Sequence, residues 1–565
     1  MKNIYDKIII GSGSAGSILA NRLSEDSNIN VLLIEAGNDF SNIESIPENI
    51  YYGHRNVTTP ILESDPSNWA YRAESTKNGP EINIPRGKII GGSSSINAQI
   101  LLRGIREDYD RWAEFGNEKW SFEEVLPYFI KLENDLDFPD EKYHGSRGYI
   151  RVKRVPEKDW DPIHRAFYNS CIENGFPACP DHNKPDSTGV GALGFNQIDG
   201  VRQSTALTYL MDARHRPNLN IKSNCYVKKI ILDNNKAIGI ELISESASFE
   251  IYADEIILSA GAIESPKLLM NSGIGDSNKL SKHGIITLCD LPGVGQNLRD
   301  HPMTFITWKP KNDYISPVNN YSRVAMALRY TSNNSNWTND MIVYMDSSDN
   351  KETFYPGAPK GIRANLTLNL EESSGEVSLN EKDPNLYPKL NYNYLDSEND
   401  MNRFVEGVKI LENIGNNKEF QKYADEMILP DTITRKDDKL LKKWLHGKMV
   451  TGHHSSGTCK MGSDQLAVVD QSGSTVENDT GTLAITDPDR ADAQTAIIES
   501  YNNQDMMELY NTRPDLYAKV VSGEIPMEQR EDPHEGKSYT APGFDGSELH
   551  AAEVALATEE KIKED

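Results

Sequence analysis

The stretch "YDKIIIGSGSAGSILANRLSEDSNINVLLIEAGND", residues 5–39, changes its periodicity twice. Ile8 to Ile10 form an apolar run too short for a helix and ended by Gly11, as expected of a strand covered on both faces. Ile18, Leu19 and Leu23 then recur at helical spacing, and Val31 to Ile34 make a second apolar run that ends at Glu35. The pattern predicts strand, helix, strand: a βαβ unit, and with it an α/β fold built on a parallel sheet. The turn inside it reads G-x-G-x-x-G at Gly11, Gly13 and Gly16. Gly11 turns the chain, Gly13 lets a pyrophosphate reach the backbone, and Gly16 lets helix and strand pack closely. Ser14 and Ala15 open the helix, where free N–H groups and the positive end of the dipole attract an anion. Glu35 is placed to accept hydrogen bonds from a ribose 2'-OH, and its charge disfavours a 2'-phosphate, so NADP is not expected. The motif itself does not separate NAD from FAD.

The totals narrow the class. At 565 residues the chain suggests at least two large domains. A formal net charge of -26 argues against nucleic acid, which is bound through an excess of Lys and Arg, and favours solubility. Five scattered cysteines without C-x-x-C spacing indicate neither a disulfide framework nor a zinc site, and no metal ligands are expected. The N-terminus shows no secretory signal pattern and no run of eighteen apolar residues occurs, so the expected location is the cytoplasm, with peripheral membrane contact left open.

Later segments decide the cofactor. "GKIIGGSSSINAQILLRGIREDYDRW" at 87–112 and "GAIESPKLLMNSGIG" at 261–275 resemble the two signatures of the glucose-methanol-choline (GMC) flavoprotein oxidoreductases. "LPGVGQNLRDHP" at 291–302, "RPNLNIKSNCYVKKI" at 216–230 and "HHSSGTCKMG" at 453–462 follow the same family pattern and order. The resemblance runs to about Gln471, with choline dehydrogenase-like members nearest in character; Leu101 departs from the usual aromatic or Ala. It implies FAD as cofactor and a flavin loop at Gly92, Ser93 and Asn97. Val227 would stand at the adenine end, with Ala260 and Gly261 at the second signature. Independently, a Gly-Gly-Ser-Ser-Ser run lets backbone amides approach a flat polar ring. Some members attach FAD through a His in this loop; here that position is Ile96, so non-covalent binding is expected.

The resemblance also implies a domain plan. An FAD-binding Rossmann-like domain would comprise 1–160, 201–304 and 446–500, and a discontinuous α+β substrate-binding domain with an antiparallel sheet would comprise 161–200 and 305–445. "IRANLTLNLEESSGEVSLNEKD", 362–383, alternates like two strands of an antiparallel pair across a turn-rich break.

Oxidising an alcohol to an aldehyde or ketone removes a hydroxyl proton to a base and a hydride to flavin N5. By its place before Gly457, His454 matches the family's catalytic histidine, with His453 in a neighbouring role. Relatives carry a second polar residue, His or Asn, some forty to fifty residues later; Asn502 and Asn503 fall at that distance. "GTLAITDPDRAD" only faintly echoes the family's ribityl-contacting strand. Residues 477–565 hold 21 Asp plus Glu against 7 Lys plus Arg, and 501–565 read as an atypical acidic segment. Two alternatives follow: a hydroxynitrile-type lyase on the same scaffold, and a redox-inactive flavoprotein that has lost its C-terminal catalytic motif. Choline would call for an aromatic cage, for which Trp308, Tyr314 and Tyr321 are available. The electron acceptor, a quinone or O2, is not legible.

Overall fold

The computed structural model describes residues 5–53, 63–234, 236–245, 247–311, 314, 316, 322–333, 335–347 and 360–470, with the backbone of 483–485. The N-terminal stretch folds as β1 (Tyr5–Ile10), α1 (Ser14–Leu23) and β2 (Val31–Ile34). Ile8 to Ile10 and every residue of β2 are buried, which is why neither run alternates with polar residues. β1 and β2 lie parallel, Lys7 opposite Val31 and Ile10 opposite Ile34. The strand Leu219–Lys222 adds parallel to the outer side of β2, and Ala253 to Leu258 add parallel to β1.

That last strand, Ala247–Leu258, serves two ladders. Its second half belongs to the parallel sheet, while Ala247 to Tyr252 pair antiparallel with Lys236–Ser244, which pairs in turn with Tyr226–Asp233. A register shift follows Val227 in this meander. Leu483–Ile485 pairs parallel with Ile256 to Leu258, so the segment that only faintly echoed the family pattern supplies a strand of the cofactor-type sheet.

A second, antiparallel sheet runs in the order Ala424–Leu429, Pro302–Pro310, Ile362–Leu368, Met341–Asp346, Met326–Tyr330, Gly189–Ala192. Val450–Thr451 pairs with Met303 and Pro302 and so brings the histidine loop to the end of this sheet. Helix Glu398–Gly415 covers one face: Met401, Phe404, Val405, Val408, Leu411 and Ile414 are buried at three- to four-residue spacing. Gly407 permits the contact, since a Cβ there would stand 2.7 Å from Leu366.

The expected pairing within 362–383 is corrected. Ile362–Leu368 and Gly375–Ser378 are both strands, but the first lies between Pro302–Pro310 and Met341–Asp346, and the second pairs with Gln296–Leu298 and Lys389–Asn391. The break is no hairpin turn because other elements pin it. Asp400 accepts hydrogen bonds from the amides of Glu372 and Ser373, Arg403 donates to the Leu370 carbonyl, and Arg299 donates to that of Glu371. Alternation along Ile362–Leu368 is real, yet its polar face (Arg363, Asn365, Thr367) is buried too.

Trp308 is a core residue, packed against Phe420 and Gly415, and Tyr314 lies against Tyr423 with its hydroxyl on Asp161; no cage forms from them. Tyr321, Asn502 and Asn503 lie outside the described residues. No helix among the described residues is long and apolar enough to cross a membrane.

Candidate active site

Three glycine-bearing turns converge at the C-terminal end of the parallel sheet. Gly11 has φ +97°, and a Cβ there would come within 2.4 Å of the Ser259 carbonyl oxygen. At Gly16 a Cβ would stand 1.9 Å from the Gly11 oxygen. These two glycines are required by packing. Gly13 and Gly261 differ: a Cβ on Gly13 meets only Gly92 Cα, at 3.9 Å, and one on Gly261 meets nothing within 4 Å. Their bare backbones border open space, a cradle that fits a cofactor's approach. α1 begins at Ser14 with no side-chain cap and no acid in its first turn, so its amides and dipole stay available to a pyrophosphate. The Gly91–Ser95 turn packs on the first one through the Gly91 amide, which donates to the Ser12 carbonyl at 2.8 Å. Ser93 and Asn97 are exposed at its margin, while Ile96 points inward and is buried.

Glu35 ends β2 and accepts hydrogen bonds from the Ser12 amide (3.0 Å), the Ser12 hydroxyl (2.7 Å) and the Gly37 amide (2.9 Å). Burial raises its pKa, and those three donors oppose the shift. Val227 is buried at the bulge of the neighbouring meander, and Ala260 leads into helix Gly261–Asn271.

The histidine loop, 451–458, is built from distant parts of the chain. Asp300 Oδ1 accepts the His454 amide at 2.7 Å, and its Oδ2 accepts the Thr451 hydroxyl and the Tyr394 hydroxyl. Ser455 is held by Tyr392 and Arg86, Gly452 donates to the His301 carbonyl at 2.8 Å, and Thr458 donates to the Ala262 carbonyl at 2.6 Å. Ser456 and Arg299 exchange two backbone hydrogen bonds of 2.7 Å. Gly457 is required here: φ is +83°, and a Cβ would stand 2.2 Å from the Asn297 oxygen. His453 adopts φ +72°, a left-handed conformation that L side chains rarely take and that this frame enforces.

The His454 ring keeps accessible surface yet is hemmed in by protein, the condition of a side chain lining a recess. Loss of hydration, then the neighbouring His301, pushes its pKa down to about 3. For His453 burial, then the Arg86 guanidinium, lowers it to about 4. Both imidazoles are therefore neutral near pH 7, and His454 offers a lone pair to a hydroxyl proton. Its ring meets that of His301 edge to face, centroids 5.1 Å apart.

With this geometry in view the comparisons are specific. A family model described as GMC oxidoreductase matches residues 5–303, and a second of the same description matches 371–487. The chain belongs to the GMC oxidoreductase family. It is 34% identical over 493 residues to an oxygen-dependent choline dehydrogenase of Sinorhizobium fredii, covering 82% of this chain and 87% of that protein. An uncharacterised GMC-type oxidoreductase of Rhodococcus erythropolis is 31% identical, with 82% and 89% covered. Among solved structures, a pyridoxine 4-oxidase from Mesorbium loti superposes with TM-score 0.79 at 29% identity, over 88% of this chain and 99% of that one. A formate oxidase of Aspergillus oryzae, at 22% identity and TM-score 0.78, shares the fold.

As a GMC member the chain is an FAD-dependent alcohol oxidoreductase. The family match extends to residue 487, beyond the limit near Gln471 that the motifs alone suggested, and takes in the Leu483–Ile485 strand. Sequence reasoning passed over Asp300 and His301, although both stand in the quoted "LPGVGQNLRDHP" segment. It also passed over Tyr392 and Tyr394, although both stand in the family-like segment "NYNYLDSENDMNRFVEGVKIL" at 391–411, and over Glu371, for which no motif gave a signal.

A separate buried charge cluster lies away from this loop. Glu133, Asp135 and His144 hold one ligand-type atom each within 4.8 Å of one another. Arg154 already bonds both oxygens of Asp135, at 3.0 and 2.9 Å, and Arg103 pairs with Glu133. The cluster is an ion network.

Proposed function

We propose that the chain oxidises a small alcohol to an aldehyde or ketone, with His454 as the group that accepts the hydroxyl proton. The observation that carries the reading is His454 itself, a neutral, accessible imidazole whose backbone is fixed by Asp300 beside the glycine turns. Bound FAD would supply the hydride acceptor, N5 of its ring. Gly11, Gly13, Ser14, Ala15, Gly16 and Glu35 would hold the adenosine and pyrophosphate portion together with Val227. Gly92, Ser93, Asn97, Ala260 and Gly261 would border the rest. Binding would be non-covalent, since the loop position that carries the linking histidine in some relatives is the buried Ile96.

The residues define what the site can do. Asp300 holds the loop through the His454 amide and so fixes the backbone from which the imidazole projects. The strand face that starts beside His301 presents Met303 and Phe305, with Asn365 opposite Phe305. The Asn365 amide oxygen is buried without a hydrogen-bond partner and gives this apolar wall one acceptor. Such a wall suits a small alcohol, choline or another. O2 or a quinone would reoxidise the flavin. A cytoplasmic setting, with peripheral membrane contact left open, and absence of nucleic-acid binding belong to the same proposal; the first rests on sequence pattern and cysteine usage, the last on charge.

The decisive experiment is anaerobic bleaching of the flavin by a panel of alcohols that includes choline, with parent and His454→Ala proteins. Loss of bleaching in the variant at normal FAD content is expected; bleaching at the parent rate removes His454 from the chemistry.

A further inference from the structure

Beside His454 stands a second imidazole with an unusual backing. His301 Nδ1 is buried and has no hydrogen-bond partner, and Glu371 Oε2 faces it at 3.9 Å. The Glu371 side chain is only 8% exposed, and its burial raises the carboxyl's pKa against the opposing influence of His301. A carboxylate taken out of water demands a donor, and Nδ1–H needs an acceptor. A closure of about 1 Å would join them.

Other charged groups nearby are already committed. Asp300 spends its oxygens on Tyr394, Thr451 and the His454 amide. Arg299 serves Asn297 and the carbonyls of Glu371 and Glu372. Arg86 holds Ser455, and its charge also bears on His453. Glu371 is thus the carboxylate placed to serve His301. The His301 side chain is 31% exposed while Nδ1 is buried, so its accessible surface lies on the other ring atoms, and the ring meets that of His454 edge to face.

We propose that Glu371 is a positioning residue that fixes His301 as the Nδ1–H tautomer. The Nε2 lone pair is then an acceptor near His454 that selects alcohols carrying a second hydrogen-bond donor next to the carbinol, a hydroxyl or an N–H-bearing ammonium, over a quaternary ammonium such as choline's. This rests on His454 being the proton acceptor. The carbinol proton goes to His454, while the substrate's second donor bonds His301 Nε2 without transferring its proton. A site built to receive a donor discriminates strongly against analogues that lack it.

The test has two arms on the holoenzyme. The first is 15N NMR of histidine-labelled protein, with His301 assigned by its loss in His301→Gln. The Nδ1–H tautomer is expected in the parent and in Glu371→Gln, whose amide oxygen still accepts, and a mixture in Glu371→Ala. The second compares anaerobic flavin reduction by 1,2-ethanediol and by ethanol. The preference for the diol should fall about tenfold in Glu371→Ala, the worth of one hydrogen bond, and be largely restored in Glu371→Gln. A structural role alone would slow both substrates equally, and that result, or a His301 tautomer indifferent to Glu371, overturns the proposal. If no alcohol reduces the parent flavin, the functional reading falls and takes the substrate selection with it, while the NMR arm still decides the Glu371–His301 pairing.

Discussion

His144 provides a test of the fold that does not involve the cofactor. Its Nδ1 lies 2.6 Å from Glu133 Oε1 and its Nε2 lies 2.9 Å from Asp181 Oδ2, with no side-chain exposure. An imidazole facing carboxylates with both nitrogens must donate from both, so it is the imidazolium. Burial alone would lower its pKa, but the hydrogen bonds and charges of Asp181 and Glu133 outweigh it and raise the value from 6.5 to about 9. At 1.36 kcal/mol per pH unit this difference is worth about 3 kcal/mol. The folded pKa lies above the unfolded one, so the contribution is complete below about pH 6.5, fades as pH rises and is gone above about 9. With an unfolding entropy of about 2 cal/mol/K per residue, the loss lowers Tm by roughly 3 °C. The assay is Tm at fixed scan rate from pH 6 to 10 for the parent and for His144→Gln. The two curves should be farthest apart at pH 6 and converge toward pH 9.5; parallel curves would refute an imidazolium at this position.

Three further outcomes are expected. Gly16→Ala should yield protein with little bound flavin, read from the visible-to-ultraviolet absorbance ratio, because its methyl would meet the Gly11 oxygen at 1.9 Å. Asp300→Ala should cut the rate of flavin reduction at least tenfold while FAD content stays near normal, since it frees the His454 amide and two hydroxyls at once. Arg363→Met should cost about 3–5 kcal/mol in urea unfolding by removing the guanidinium paired with the buried Asp346, and the double change with Asp346→Leu should recover most of it.

The cofactor half of the fold is legible because it is local: β1, the glycine turn, α1, β2 and Glu35 follow one another within a short stretch, and each residue type carries its own geometric reason. The histidine loop is half legible. His454 stands in a recognisable segment, but what fixes it comes from Arg86, Asp300, Tyr392 and Tyr394, whose partnership no local pattern encodes. The mistaken pairing within 362–383 has the same origin. Alternation reveals a strand but not its neighbour, and the carboxylate of Asp400, remote in sequence, redirects the chain between the two strands.

The stitching of residues 451–458 sets an order of assembly. The glycine turns draw on the chain's first half, whereas the proton-accepting loop cannot settle until Arg86, Ala262, Asp300 and the two tyrosines are all in place to receive it. Contacts that span hundreds of residues close late and open early. Warming or mild denaturant should therefore silence turnover while the yellow colour persists, so the molecule becomes a flavin carrier before it becomes an unfolded chain.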